Sequence, residues 1–319
     1  MRILIAGELN PDLILRGYKS FPTPGKEVLV KDLELTIGSS SAICAVGLAR
    51  LGDSVRFVGN VGQDLYGDYC LDILRREGID ASLVKRRADL KTGLTVSVTC
   101  PGDRALITYQ GAIASLTAQD IPREAFTGCS HFHVSAYYLQ DQLRSGLKAL
   151  FHAAHQAGMT TSLDTGWDPT ERWGEELIDI LTEVDVFLPN EAEIQAITRC
   201  QGVLSGLANL QNGRTLVVAK LGAEGCITTW HGRTIRQPAF PVEVVDTTGA
   251  GDSFVAGFLH AWLRHEGLES CLRFASACGA LSTRGIGGTS AQPSCSEAES
   301  FIQAQTIRAQ TPAARRCSN

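Results

Sequence analysis

Short apolar runs alternate with longer amphipathic segments along most of this 319-residue chain. The runs end in Gly, Asp or Asn and are predicted to be buried strands: RILIAG, VRFVGNVG, HFHVSAYYL, MTTSLDTG, VDVFLPN and TLVVAKLG. The segments between them, such as LRSGLKALFHAAHQAG, have the apolar spacing of helices. This alternation predicts an α/β fold with a mostly parallel, doubly wound sheet and helices on both faces. In such sheets, ligands bind at the carboxyl ends of the strands.

Two segments break the alternation. Residues 12–36 and 92–110 show period-two patterning, Pro and Gly turns and no intervening helix. They predict an antiparallel patch outside the main sheet, which we interpret as a lid. We therefore expect one domain over residues 1–308 with these lid segments inserted, followed by a flexible tail over residues 309–319.

Charge and cysteine usage exclude several classes of protein. The net charge of −5 leaves no basic footprint for nucleic acid. The ten cysteines include no C-x-x-C pair, which argues against a zinc ribbon or a redox dithiol and favours reduced thiols. The first apolar run is too short for a signal peptide or a membrane span. We expect a soluble, cytoplasmic protein with no membrane partner.

The stretch VVDTTGAGDSFVAGFLHAWL places a Gly-rich turn directly before an apolar helix that is predicted to begin near Asp252. The first turn of a helix has unpaired amides and the positive end of the helix dipole. Because Gly249, Ala250 and Gly251 have little or no side chain, a phosphate can approach those amides closely. The turn is a candidate anion hole.

Asp252 carries a negative charge at this anion hole, where it would repel a phosphate unless it faces another group. An Asp beside an anion hole can accept the proton of an attacking alcohol while the amides stabilise the transferred group. The structural alternative is that Asp252 caps the helix and the glycines only form a turn.

The wider pattern resembles the PfkB, or ribokinase, family of carbohydrate kinases. DTTGAGDSF with its helix is similar to the family's C-terminal motif, and GELNPDLIL to its opening strand with the N-x-D position. FPTPGKEV resembles the lid segment, and IGSSSAICAVGLARLGDSVRFVGNVGQD resembles the N-terminal motif. DVFLPNEAEI and KLGAEG are similar to the N-x-x-E and nucleotide-loop segments. The matches follow the family's order over nearly the whole chain.

The resemblance implies a ribokinase-like fold and ATP-dependent phosphorylation of a hydroxyl on a sugar or sugar-like substrate. It implies Asp252 as the catalytic base and the turn from Gly249 to Gly251 as the anion hole for the γ-phosphate. The substrate-binding positions it implies are Asn10, Asp12, Gly38 and Ser39. The nucleotide-binding positions it implies are Asn190, Lys220, Gly222, Gly225 and, on the adenine side, Gly287. Asn190 and Glu193 match positions that organise Mg²⁺ through waters, and Asp246 and Thr248 match the site of a monovalent cation such as K⁺.

The N-terminal motif departs from the family pattern, which usually has a Gly-Gly pair and a nearby Asn. This chain has Gly38-Ser39, places Ile43 where the Asn is expected, and supplies three hydroxyls from residues 39–41. Ribose, fructose, 2-keto-3-deoxygluconate and nucleosides therefore all remain candidate acceptors. The alternatives are a nucleoside kinase and a catalytically silent sugar- or nucleotide-binding protein. Lid segments present sheet edges that need covering, so we also expect a homodimer through the lid.

Two further pairs have competing interpretations. His131 and His133 point to the same side of a predicted strand and could bind a metal, but no third ligand is evident and a structural role is favoured. Asp164 and Asp168 follow a strand at its ligand-binding end. They fit either capping and loop structure or a role towards nucleotide or Mg²⁺.

Overall fold

The computed structural model of the protein describes residues 1–18, 20–100 and 103–310. The strands are β1 (Arg2–Ala6), β2 (Pro11–Arg16), β3 (Asp32–Ile37), β4 (Ser54–Gly62), β5 (Asp80–Arg87), β6 (Leu94–Cys100), β7 (Asp103–Tyr109), β8 (His131–Val134), β9 (Thr160–Leu163), β10 (Val186–Phe187), β11 (Leu216–Lys220), β12 (Cys226–Trp230) and β13 (Arg233–Gln237). The α-helices are α1 (Ser40–Arg50), α2 (Leu65–Arg76), α3 (Asp141–Gln156), α4 (Glu176–Leu181), α5 (Glu191–Thr198), α6 (Val203–Asn209), α7 (Ala250–Trp262), α8 (Leu268–Ser282) and α9 (Cys295–Gln310). Of the predicted tail, residues 311–319 lie outside the described residues.

Nine strands form the main sheet, in the order β13-β12-β11-β10-β9-β8-β1-β4-β5. The strands from β11 to β5 in this order pair in parallel, and β12 is antiparallel to both of its neighbours. The strand order reverses beside β1, because the chain places β4 on one side of it and β8 on the other. Such a switch point is where open α/β sheets bind ligands.

The centre of this sheet is buried on both faces, as the continuous apolar runs predict. Ile3 and Ile5 of β1 pack in a core with α1, α2, α7 and α8. The intervening Leu4, together with Ala6, packs in a second core with α3 to α6. Because successive strand side chains alternate between the faces, one five-residue strand anchors both helical layers.

The two predicted lid segments form a separate four-stranded sheet in the order β3-β2-β6-β7. The expectation of an antiparallel patch is only partly correct, because β2 and β6 pair in parallel. The period-two pattern cannot distinguish the two pairings. Parallel neighbours need a long crossover, and here the chain between β2 and β6 returns through the main domain.

His131 and His133 are fully buried in β8 and have only structural contacts among the described residues. Their rings join a hydrogen-bonded chain in which Ser162 Oγ lies 2.7 Å from His131 Nε2 and 2.7 Å from His133 Nδ1. Burial lowers the pKa of both imidazoles, that of His133 to about 4. Within the described ranges, no cluster of three or more His, Cys, Asp or Glu residues could hold a metal ion. The hydrogen bonds with Ser162 hold both rings in the core, which is the structural role favoured for the pair.

A buried carboxylate ties the end of α7 to the start of the chain. Asp53 accepts hydrogen bonds from His260 Nδ1 at 2.7 Å and from Arg264 at 3.0 Å, and the amino group of Met1 lies 3.4 Å away. Burial by itself acts to raise the pKa of Asp53, but the hydrogen bonds from His260 and Arg264 outweigh it, so the pKa lies below its ordinary value. The ionised form therefore stabilises the fold at neutral pH.

In the part of the chain that the structure describes, no helix combines the length and the apolar character that a membrane crossing requires.

We predict that Asp53→Asn lowers the free energy of unfolding by about 3 kcal/mol at neutral pH, because it removes the buried carboxylate that accepts hydrogen bonds from His260 and Arg264. The loss should shrink as the pH falls through the folded-state pKa of Asp53, where the wild-type carboxylate is itself protonated. Urea denaturation at several pH values measures both effects. Asp89→Asn, at an exposed ion pair with Arg87, is the matched control and should leave the stability unchanged. Equal stability of the two variants would contradict the prediction.

Candidate active site

A cavity of about 730 Å³ lies at the carboxyl ends of the strands, beside the N-terminus of α7. Predicted site residues that line it are Asn190, Glu193, Lys220, Gly222, Gly225, Gly249, Ala250, Gly251 and Asp252. Residues that are distant in sequence therefore meet in one space. The end of β11, the start of α5 and the Gly-rich turn each contribute one side of it.

The turn before α7 requires glycine at one position. Gly249 has a φ of +70°, and a Cβ there would lie 2.6 Å from Gly288 Cα and 3.0 Å from Ile43 Cγ2. Gly249 is also the N-cap of α7, so Asp252 stands inside the first turn rather than at the cap position. The first turn of α7 and Asp252 therefore line the same cavity.

One cation stands beside the turn. Lys220 Nζ lies 2.6 Å from Asp164 Oδ2, with both side chains largely buried, and 3.6 Å from the position of a Cβ on Gly251. Burial acts to lower the pKa of Lys220, but the carboxylates of Asp164 and Glu193 outweigh it and raise the pKa above its ordinary value. Lys220 therefore remains charged at neutral pH.

Asn190 and Glu193 form a capping box at the start of α5. Asn190 Nδ2 donates to Glu193 Oε1 at 2.7 Å, and the Asn190 N–H donates to Oε2 at 2.8 Å. Burial and the charge of Asp164 raise the pKa of Glu193 above its ordinary value. The cavity thus holds more acidic groups than Lys220 can balance.

This donor set fits Mg²⁺ carried by a nucleotide. Mg²⁺ prefers oxygen ligands and keeps several waters, so one or two protein carboxylates with substrate phosphates are enough. Among the described residues, no acidic cluster could hold a metal ion by itself. Asn190 and Glu193 would contact such an ion through waters, and its charge would relieve the repulsion among the carboxylates that line the cavity.

The predicted acceptor residues lie where β2 leaves the main domain. Asp12 is buried, and Asn10 Nδ2 approaches its Oδ1 at 3.4 Å. A Cβ on Gly38 would lie 2.0 Å from Asp12 Oδ1, so only glycine leaves room for this carboxylate. The buried Thr36 and Thr95 flank Asp12 on the neighbouring strands.

The three serines at the start of α1 do not contribute equally. Ser39, with a φ of +68°, caps the helix: its Oγ accepts from the Ala42 N–H at 3.0 Å and donates to the Glu8 carbonyl at 2.7 Å. Ser41 Oγ lies 2.5 Å from Glu8 Oε2. Ser40 lines the cavity. The hydroxyls of Ser39 and Ser41 thus support the fold, and Ser40 is the serine of the three that lines the cavity.

The predicted monovalent-cation residues brace two loops. Asp246 Oδ1 accepts from the N–H and Oγ1 of Thr248 at 2.9 Å and 2.8 Å. Its Oδ2 accepts from the Gly287 N–H at 2.8 Å. Gly287 does not line the described cavity but faces Thr36 of β3, because a Cβ there would lie 2.8 Å from Thr36 Oγ1.

The structure separates Asp164 from Asp168. Asp164 lines the cavity beside Lys220, whereas Asp168 braces its loop by accepting hydrogen bonds from the backbone of residues 170, 172 and 173. Sequence reasoning missed the cavity wall formed by residues 239–244, which lacks regular structure, and that formed by α8. These residues are Ser276, Gly279 and Ala280 of α8 and Thr283 at its C-cap, small side chains at helical spacing. The helical spacing of these small residues is the feature of the sequence that could have indicated this wall.

Comparison with known proteins identifies the family to which the chain belongs. The model of the pfkB family carbohydrate kinases matches residues 2–295, so the chain belongs to this family. The enzyme is accordingly a carbohydrate kinase that uses ATP.

The relatives cover most of the chain. It is 28% identical over 304 residues to the ATP-dependent ribose-1-phosphate kinase of Halopiger xanaduensis, covering 95% of this chain and 98% of that one. It is 31% identical over 272 residues to the fructokinase of Klebsiella pneumoniae, covering 80% and 88%. A ribokinase II-like protein from E. coli, solved in complex with ATP and Mg²⁺, superposes with a TM-score of 0.84 at 23% identity, covering 95% and 99%. The expected ribokinase-like fold is confirmed.

We predict that Gly249→Ala lowers the free energy of unfolding by about 2 kcal/mol, because alanine must adopt the left-handed conformation against Gly288. It should also weaken ATP binding. Gly251→Ala is the control, since that residue has no left-handed backbone and its added Cβ meets only the Lys220 side chain, at 3.6 Å or more. Urea denaturation compares the two variants. If both retain wild-type stability, the turn does not depend on glycine at position 249.

Proposed function

We propose that Asp252 is the general base that activates the acceptor hydroxyl for attack on the γ-phosphate of ATP. The observation that carries this proposal is its position in the first turn of α7, inside a cavity that also holds Lys220 and the Asn190–Glu193 pair. A carboxylate positioned at a reacting hydroxyl can accept its proton in the transition state. Bound Mg²⁺·ATP supplies the phosphoryl group and neutralises part of its charge.

The turn from Gly249 to Gly251 acts as the anion hole. The first-turn amides of α7 and the positive end of its dipole are preorganised, so they stabilise charge on the transferred group without reorganisation. Lys220 is held in place by Asp164 and adds a positive charge beside these amides. Positioning and charge neutralisation supply most of the rate, as is usual for phosphoryl transfer.

The acceptor is a sugar or sugar-like polyol held between the main domain and the small sheet. Asp12 accepts hydrogen bonds from its hydroxyls, since one carboxylate can accept several. Asn10 orients Asp12 through a hydrogen bond, and Gly38 leaves room for the Asp12 carboxylate. Ser39 fixes the chain that passes from Gly38 into α1. The small sheet acts as the lid that covers the acceptor.

Release of ADP from Mg²⁺·ATP across a panel of sugars, sugar phosphates, keto-sugar acids and nucleosides tests this function and identifies the acceptor. Strong stimulation by a nucleoside alone would favour the nucleoside-kinase alternative. ATP binding with no stimulation by any compound would favour the silent binding protein. Running the panel with and without K⁺ tests whether the segment braced by Asp246 and Thr248 binds an activating monovalent cation.

We predict that Asp252→Asn lowers kcat by about 10²–10⁴-fold, because the amide cannot accept the proton. ATP affinity, measured by calorimetry, should change little, since the amides and Lys220 are retained. Asp89→Asn provides a surface control with the same chemical change. Wild-type kcat in Asp252→Asn would show that another group is the base.

We propose further that the outer face of the lid sheet pairs with a second copy of the chain. Leu13 and Leu35 are cross-strand partners, as are Val96 and Ile107, and Leu13 also pairs with Val96, so these side chains share one face. Ile107 is 58% exposed and Leu33, on the same face, is 56% exposed. The polar Asp12 lies on the opposite, buried face. A sheet with its apolar face outward favours a partner over solvent.

We predict that the double substitution Leu33→Glu and Ile107→Glu converts a dimer into a monomer, because it places charges in the apolar interface. Sedimentation at several protein concentrations measures the change. Leu204→Glu is the matched control, since Leu204 is 56% exposed on α6, which packs against α5, β11 and β12 of the main domain. A wild-type protein that sediments as a monomer at all concentrations would exclude this interface.

We also propose a cytoplasmic location, where ATP is available and thiols remain reduced. Eight of the described cysteines are free thiols, and five of these are buried. This usage of cysteine as a small apolar residue supports a reducing compartment.

A further inference from the structure

Glu8 is a buried acid that the mechanism above does not use. It follows β1 at the switch point and is only 3% exposed. Its Oε1 accepts from the Ser41 N–H at 3.1 Å, and its Oε2 lies 2.5 Å from Ser41 Oγ. Its carbonyl accepts from Ser39 Oγ at 2.7 Å. One residue thus joins the end of β1 to the first turn of α1.

The surroundings of Glu8 do not favour an ionised carboxylate. No salt bridge to Glu8 occurs among the described residues, and a buried unpaired charge is costly. The ionisable group of another element that acts on Glu8 is Asp252 on α7. Cys44 on α1 lies within electrostatic range of Glu8, and Asp252, Asp164 after β9 and Lys220 at the end of β11 act on Cys44. The cation among them, Lys220, is already paired with Asp164.

Burial raises the pKa of Glu8 to about 8, against the lowering effect of the Ser41 hydrogen bonds, and the charge of Asp252 raises it further. At neutral pH the carboxyl group therefore keeps its proton. A neutral acid fits the geometry equally well, because its O–H can donate to Ser41 Oγ while Oε1 accepts from the Ser41 N–H.

We propose that Glu8 is a positioning residue that works in its neutral, protonated form, holding the start of α1 against the acceptor strand without adding a second negative charge near Asp252. The inference rests on the proposed function, because it concerns the same acceptor site. Ser40, which lines the cavity, lies directly before Ser41, to which Glu8 is hydrogen-bonded. Asn10 and Asp12 follow Glu8 in the segment that leads from β1 into β2. Ionisation of Glu8 would add a second negative charge near Asp252, which disfavours the approach of an anionic phosphoryl group, so activity should fall.

The first test is the pH dependence of kcat/KM for the acceptor. Wild type should lose activity above about pH 8, with a slope that corresponds to one proton. Glu8→Gln keeps the shape of the acid and a donor for Ser41 Oγ, so the fall should move to higher pH. Ser41→Ala should also move it upward, because it removes a hydrogen bond that lowers the pKa of Glu8.

Glu8→Ala tests whether Glu8 positions the start of α1, because it removes the carboxyl group and its hydrogen bonds with Ser41. At pH 7 it should lower kcat/KM about tenfold or more, on the scale at which misplaced groups reduce rates, and Glu8→Gln should restore most of that loss. A Glu8→Gln variant with the wild-type pH profile, or one as impaired as Glu8→Ala, would overturn the proposal.

Thermal unfolding gives a second readout that needs no turnover. Because the pKa of Glu8 is raised from 4.5 to about 8 on folding, the folded protein holds an extra proton between these pH values. The contribution of Glu8 to stability therefore falls as the pH rises through this window. Glu8→Gln lacks this dependence, so the difference between its Tm and that of wild type should change in favour of the variant as the pH rises from 5 to 8. A constant difference would overturn the proposal. A growing difference in a protein that phosphorylates no acceptor would support the protonated clamp while rejecting the proposed function.

Discussion

Burial of β1 on both faces is the constraint on which the rest of the structure depends. Its side chains alternate between the two helical layers, and its neighbours β4 and β8 run parallel to it. The strand order therefore reverses beside β1, and the loops that leave the neighbouring strands separate at their carboxyl ends. Glu8 and Asn10 follow this strand directly into the space between those loops, so the predicted acceptor residues and the core are positioned by the same short segment.

The electrostatics of the cavity follow from this gathering of strand ends. Each strand contributes polar residues at the same edge, and most of those that are charged are acidic, including Asp164 and Glu193. Lys220 offsets one of them through a buried ion pair. Burial, together with the remaining excess of negative charge, raises the pKa of Glu193. This excess suits a nucleotide that brings its own divalent cation. The amides of α7 then supply positive potential without another side chain.

The main sheet, the site turn and the position of Asp252 could be predicted because each depends on local pattern. Continuous apolar runs predict buried parallel strands, and glycine before an apolar helix predicts an exposed set of amides. The parallel pairing of β2 with β6 could not be predicted, because alternation specifies a face and not a partner. Ser39 and Ser41 were expected to supply pocket hydroxyls, yet both bind Glu8, a residue with no local signal in the sequence.

By itself, the sequence determined the class of fold, the family motifs and the chemical types available at the strand ends. Tertiary structure alone decided which of these groups meet. Asp164 and Asp168 are equivalent in sequence, but only Asp164 lies within reach of Lys220, and Asp168 is satisfied by the amides of its own loop. Glu8 illustrates the same division most clearly. The sequence specifies that residue 8 is a glutamate, but its protonation depends on burial and on Asp252, which lies more than two hundred residues away along the chain. Long-range desolvation and charge depend on packing, which the local pattern of a chain does not encode.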